Sequence, residues 1–89
     1  MTIKIVAYEP GQSDNKVGVL DMGDHYMDFH MVNGVVSLGT VYPKSDYKDY
    51  ETFAGVMGKF DPYTVFLETP VPITALTRVE IDNAFKSLV

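Results

Sequence analysis

The stretch HYMDFHMVNGVVSLGTVY, residues 25–42, decides the fold. Asn33-Gly34 sits between two alternating runs, His25 to Val32 and Val35 to Tyr42. Both residues tolerate the positive φ that a two-residue hairpin turn of the right twist demands. A turn there sets the register: Met31 faces Val36, His30 faces Ser37, Phe29 faces Leu38 and Asp28 faces Gly39. Because side chains alternate, Met27, Phe29 and Met31 share one face with Val36 and Leu38, and Tyr26, Asp28 and His30 share the other with Ser37 and Gly39. The pattern predicts one face buried as core and one presented.

Outward from the hairpin, Thr2 to Glu9 alternates, with Ile3, Ile5 and Ala7 on one side and Lys4, Val6 and Tyr8 on the other, and Pro10-Gly11 with Gln12 to Asn15 breaks the run. Lys16 to Asp21 alternates again, and Met22-Gly23-Asp24 turns into the hairpin. After Pro43 the period lengthens to that of a helix, with Tyr47, Tyr50, Phe53, Ala54, Met57 and Phe60 along one side. Ser45 or Asp46 is the expected cap, Gly58 the expected left-handed stop, and Gly55 is read as a site of close packing on the sheet. Asp61-Pro62 turns the chain into a fifth strand, Tyr63 to Glu68, bounded by Pro70 and Pro72, which cannot donate to a ladder and so suggest an edge or an exit. Thr77 with Glu80 forms a capping box, Leu76 can staple onto Ile81, and Ile81, Ala84, Phe85 and Leu88 line one face of a last helix. The expected fold is α+β: a four-stranded antiparallel meander plus a fifth strand, packed against two short helices in the order β-β-β-β-α-β-α, over one compact domain spanning 1–89.

With 46% hydrophobic and 21% charged residues the composition is that of a globular chain and argues against disorder. The absence of cysteine removes disulfides, thiolate zinc sites and cysteine nucleophiles. The first ten residues read as a strand, with no charged stub and apolar stretch of a signal peptide, and no apolar run is long enough to cross a bilayer. The chain therefore reads as soluble and cytoplasmic. Twelve acidic residues against seven basic ones give a net charge of −5, which disfavours direct binding to nucleic acid or to an anionic membrane. No Lys or Arg lies between Lys16 and Lys44, an interval holding Asp21, Asp24 and Asp28, so the hairpin is expected to be the negative end.

Ser37, His30 and Asp28 share a strand face and include the residue types of a nucleophile, base and orienter set. An open sheet face supplies neither a strained nucleophile turn nor an oxyanion hole, so a polar, solvated face is the plainer reading. His25, His30, Asp24 and Asp28 hold ligand chemistry, but His25 points away from His30 in a regular strand, and no HExxH, CxxC, GxxxxGKS or GxGxxG pattern occurs. No cofactor is expected.

The favoured functional expectation is a non-catalytic binding module that occupies a basic surface of another protein, such as the nucleic-acid groove of an enzyme, and blocks it. Its contact residues would be Asp21, Asp24, Tyr26, Asp28, His30 and Tyr47. Asp24 and Asp28 would stand roughly 13 Å apart at the usual strand rise, with Tyr26 between them. Small size and charge resemble those of stand-alone inhibitors from phages and mobile elements. The alternative is an accessory or structural subunit acting as a homo-oligomer through the fifth strand or an exposed face of the meander, and a third is a small hydrolase using Ser37, His30 and Asp28.

Overall fold

A computed structural model describes residues 2–10, 15–60, 63–74 and 77–88. The expected turns at Gly11 to Asp14 and Asp61-Pro62, and the Leu76 staple, lie outside the described residues. The elements are β1 (Ile3–Tyr8), β2 (Asn15–Asp21), β3 (His25–Val32), β4 (Val35–Pro43), a 3-10 turn (Lys44–Asp46), α1 (Tyr50–Phe60), β5 (Val65–Ile73) and α2 (Arg78–Ser87). The strands form one antiparallel sheet in the order β4-β3-β2-β1-β5. The fold is therefore α+β with the expected order, and β5 is an edge strand.

The hairpin forms as its turn dictates. Asn33 and Gly34 have φ of 51° and 81°, and Val32 pairs with Val35, Met31 with Val36, His30 with Ser37 and Phe29 with Leu38. Beyond Phe29 the register slips by one residue, so that Met27 meets Val41 and Tyr26 meets Tyr42. The extra residue is accommodated on β4 at Gly39 and Thr40, opposite Asp28. An unbulged hairpin would set Val41 opposite Tyr26; the bulge moves Tyr42 to Tyr26's side of the sheet.

A second bulge, on β1, lies between Ile5, which pairs with Leu20, and Ala7, which pairs with Val19. Ile5 packs with Leu20, Phe29, Met31 and Ile73 beneath Ile81 and Ala84 of α2. Val6 and Ala7 both pack on the opposite side with Val19, Tyr26 and Phe53 of α1, and Tyr8 returns to the α2 side against the Phe85 ring at 6.2 Å. The expected grouping of Ala7 with Ile3 and Ile5 is corrected by this bulge. So is the expectation of one buried and one presented face, because each face carries a helix and its own core. No helix among the described residues is long and apolar enough to cross a membrane.

Helix α1 starts later than the capping pattern suggested. Pro43 leads into a 3-10 turn instead, and Asp49 caps α1 by accepting from the Thr52 N–H and the Thr52 hydroxyl, both at 2.8 Å. The helix runs through Gly58, whose φ is not positive, to Phe60. Thr77 caps α2 as expected, accepting from the Glu80 N–H at 3.2 Å. Strand β5 continues through Pro70 and Pro72 to Ile73, where Glu68 had been taken as its end. Its register against β1 jumps from Val71 to Phe66 while β1 advances only from Ile5 to Ala7, and this loose stretch contains Pro70.

Gly55 is not a close-packing site, since a Cβ there would meet nothing within 4 Å. Gly18 is one, since its Cβ would lie 2.5 Å from the Ala7 carbonyl oxygen and 2.9 Å from the Phe29 ring. Gly55→Ala is expected to raise stability by about 0.5–1 kcal/mol through helix propensity alone. Gly18→Ala is expected to cost about 1–3 kcal/mol by overpacking. Urea unfolding midpoints of the two variants against the parent check both signs.

Candidate functional site

The acidic residues divide into those that hold the fold together and those that face solvent. Asp21 accepts from the Gly23 N–H at 2.9 Å, across a turn in which Gly23 has φ of 112°, and pairs with Lys44 Nζ at 2.9 Å. Lys44 also stands 5.0 Å from the centroid of the Tyr26 ring. Its own N–H donates to the Asp24 carbonyl at 3.1 Å, which stitches the β2–β3 turn to the segment leaving β4.

Asp24 is the exposed member, with 92% of its side chain open to solvent. Its carboxylate meets His25 Nδ1 at 2.5 Å, and that hydrogen bond, followed by the ring's charge, lowers its pKa below the ordinary carboxylate value. Asp46, Asp49 and Glu51 are exposed along the adjoining segment. The Thr52 N–H and hydroxyl likewise lower the pKa of Asp49. Asp24 and Asp49 thus stay ionised into the acid range, with Lys44 drawn inward as a brace.

Besides Asp21, three of the expected contact residues occupy other roles. Tyr26 is 5% exposed and stacks on Phe53 at 4.1 Å between centroids, 15° from parallel, so it belongs to the core and not to a presented surface. Tyr47 is half-buried with its ring edge-on to Phe53 at 5.1 Å. Asp28 is half-buried and holds the β4 bulge, accepting from the Thr40 N–H at 2.6 Å and from the Tyr42 hydroxyl at 3.3 Å. His30 is exposed, as is Ser37 across the ladder from it.

Asp28, His30 and Ser37 line a shallow depression of about 230 Å³ with Val17, Phe29 and Leu38. Asp28 also borders a smaller one of about 90 Å³ that includes Val17, Val19, Met57 and Phe66. The Asp28 carboxylate is committed to Thr40 and Tyr42 rather than to an imidazole, which leaves His30 and Ser37 as a polar cross-strand pair without an orienting acid. Among the described residues no group of three or more His, Asp or Glu side chains is placed to hold a metal ion.

The hairpin as a whole is not the negative end. Its tip lies against Arg78, whose Nε would stand 2.7 Å from a Cβ placed on Gly34, and Lys16 pairs with Asp82 nearby on α2 at 3.3 Å. Exposed carboxylates stand toward the opposite end, where Asp24 is tied to Lys44 and the segment that follows carries Asp46 and Asp49 with Lys48 between them. Sequence reasoning assigned Asp46 and Asp49 to a helix dipole and missed that Lys44, just before them, ties this segment to the Asp24 turn. Pro43 at the close of β4 was the signal that the chain must turn there. Comparison of the chain with protein-family models, curated proteins and solved structures finds no match.

Asp28→Ala, a change at a polar strand position, is expected to lower stability by about 1–2 kcal/mol because the Thr40 N–H loses a charged acceptor and the bulge its clamp. Chemical denaturation measures it, and an unchanged midpoint would contradict the clamp. The Tyr50 hydroxyl, donating to the Val6 carbonyl at 2.8 Å, has its pKa pushed up from 10.0 to about 12, chiefly by burial. Burial likewise raises Tyr26 and Tyr42. A raised folded pKa means that the unfolded chain loses its proton first, so this stabilisation is whole below pH 10 and declines as the pH climbs toward 12. Tyr50→Phe should be less stable at neutral pH by about 1 kcal/mol and should lose less stability than the parent on titration through the alkaline range.

Proposed function

We propose that this protein is a small non-catalytic protein-binding module that docks its acidic end onto a basic surface of a partner protein and blocks it. The nucleic-acid groove of an enzyme is the basic surface that its charge and size suit best. The observation that carries the reading is Asp24, a side chain 92% exposed, with a lowered pKa, on a turn tied down at Asp21 and Lys44. Ionised groups on a rigid turn accelerate encounter with a basic surface and help set its orientation.

Asp46, Asp49 and Glu51 add exposed carboxylates along the segment that follows Lys44, with one exposed cation, Lys48, among them. Exposed pairs contribute only about 0.2–1 kcal/mol each, so binding of this kind needs several of them together and weakens with salt. The reading implies action in the cytoplasm as a stand-alone inhibitor, of the kind that phages or mobile elements encode.

The test is a pull-down from nuclease-treated lysate of the source cell or its host, comparing the parent chain with Asp24→Lys/Asp46→Lys. Neither residue caps α1, so the variant should fold. A basic nucleic-acid enzyme retained by the parent, released by a polyanion and captured at least tenfold less by the variant is the expected result. Equal capture by both chains, or none by either, would overturn the reading.

A further inference from the structure

The two edges of the sheet are built differently. Edge strand β5 is interrupted by Pro70 and Pro72 and by a long register break, each of which spoils it as a template for another strand. Edge strand β4 reads VVSLGTVYP, with no charged residue and no proline before its last position, and its register shift is a one-residue bulge at Gly39 and Thr40 that leaves the Val35–Leu38 stretch regular. All of β4 except Val36, Tyr42 is exposed, including Val35 at 67%, Val41 at 49% and Leu38 at 46%.

The turn geometry also tells which backbone groups are open. A two-residue turn makes Val32 and Val35 a hydrogen-bonded pair, and pairs alternate from there, so Val36 and Leu38 direct their N–H and C=O groups away from β3. They form an unfilled half-ladder beside an apolar stripe. Helix α2 packs on β5 and on the core beneath Ile81 and Ala84, which leaves Leu38 and Val41 uncovered on that side.

We propose that the occupant of this edge is β4 of a second copy, paired antiparallel about a two-fold axis near Leu38 to give a continuous ten-stranded sheet. Charge supports this occupant and this direction. The Val35 end of β4 lies beside Arg78 and Lys16, two cations that share the single carboxylate of Asp82, and the Pro43 end lies beside Asp24 and leads to Asp46, about 26 Å away at the usual strand rise. Antiparallel pairing sets the basic end of each copy against the acidic end of the other. Parallel pairing would set like charge against like. Antiparallel pairing also brings Leu38 toward its counterpart, and a two-fold contact of this kind closes on itself as a dimer. The strand itself carries no lysine of the sort that guards natural edges.

Sedimentation equilibrium over a concentration series reaching the millimolar range, on the parent chain, Leu38→Lys and Val65→Lys, tests the proposal. Val65 stands on the opposite edge and is 40% exposed, so both lysines are placed at exposed positions and the second serves as the control. The parent and Val65→Lys are expected to approach twice the 9.9 kDa mass of one chain. Leu38→Lys is expected to associate at least tenfold more weakly. Amide exchange supplies a readout independent of mass, since the Val36 and Leu38 N–H groups should become protected as the parent is concentrated. A parent that stays at the mass of one chain throughout overturns the proposal. So does a dimer that survives Leu38→Lys with the Val36 and Leu38 amides still exchanging freely.

Discussion

Phe53 is the side chain on which the second face of this sheet depends. It is fully buried, lies flat against Tyr26, and meets the rings of Tyr42, Tyr47, Tyr50 and Phe66 at centroid distances from 5.1 to 6.5 Å. A buried aromatic side chain of this size contributes on the order of 3–5 kcal/mol, a large share of what keeps a small domain folded. Elsewhere on α1, Gly55, Val56 and Gly58 are exposed and Met57 is partly buried against the same core. The helix is held chiefly by this aromatic group and by the Tyr50 hydroxyl on the Val6 carbonyl. The aromatic group in turn needs both bulges. The one at Val6 and Ala7 gives the α1 side two adjacent apolar residues from β1, and the one at Gly39 and Thr40 brings Tyr42 round to join Tyr26.

Much of the architecture was legible in the sequence for identifiable reasons. Asn33-Gly34 dictated a turn and with it four cross-strand pairs, Pro70 and Pro72 marked an edge, and Thr77 with Glu80 marked the start of α2. The bulges were not legible. A period of two reveals an inserted residue only where it shifts polar positions onto the apolar face, and in Ile5-Val6-Ala7 both phases are apolar, so the slip leaves no trace. At Gly39-Thr40 the neighbouring positions are small or polar, and the slip shows only in the placement of Tyr42. Missing the bulges led directly to the expectation of a presented face, because Tyr26 and Asp28 look like surface residues until α1 is set over them. The start of α1 was misplaced because Asp46 and Asp49 cap equally well in sequence. Only the 3-10 turn after Pro43 selects Asp49.

The candidate site was partly legible. The clustering of acids around Asp24 was visible, but their division of labour was not, since it depends on partners distant in sequence. Asp21 is engaged by Lys44, and Asp28 by a β4 backbone N–H twelve residues away. These two carboxylates are structural, which moves the exposed charge from the strand face to the β2–β3 turn and the segment beyond β4. The arrangement separates two surfaces of different chemistry, a charged end and an uncharged strand edge, and they suit different partners.

The central claim of this account is that each face of the sheet carries a buried core, with Tyr26 inside and Phe53 holding α1 over it. A nuclear Overhauser spectrum of the dilute protein tests this most directly. Strong cross-peaks from the Phe53 ring to the rings of both Tyr26 and Tyr42, with Tyr26 shielded from a soluble paramagnetic agent, are predicted. A Tyr26 ring that relaxes like an exposed side chain and gives no cross-peak to Phe53 would contradict the account.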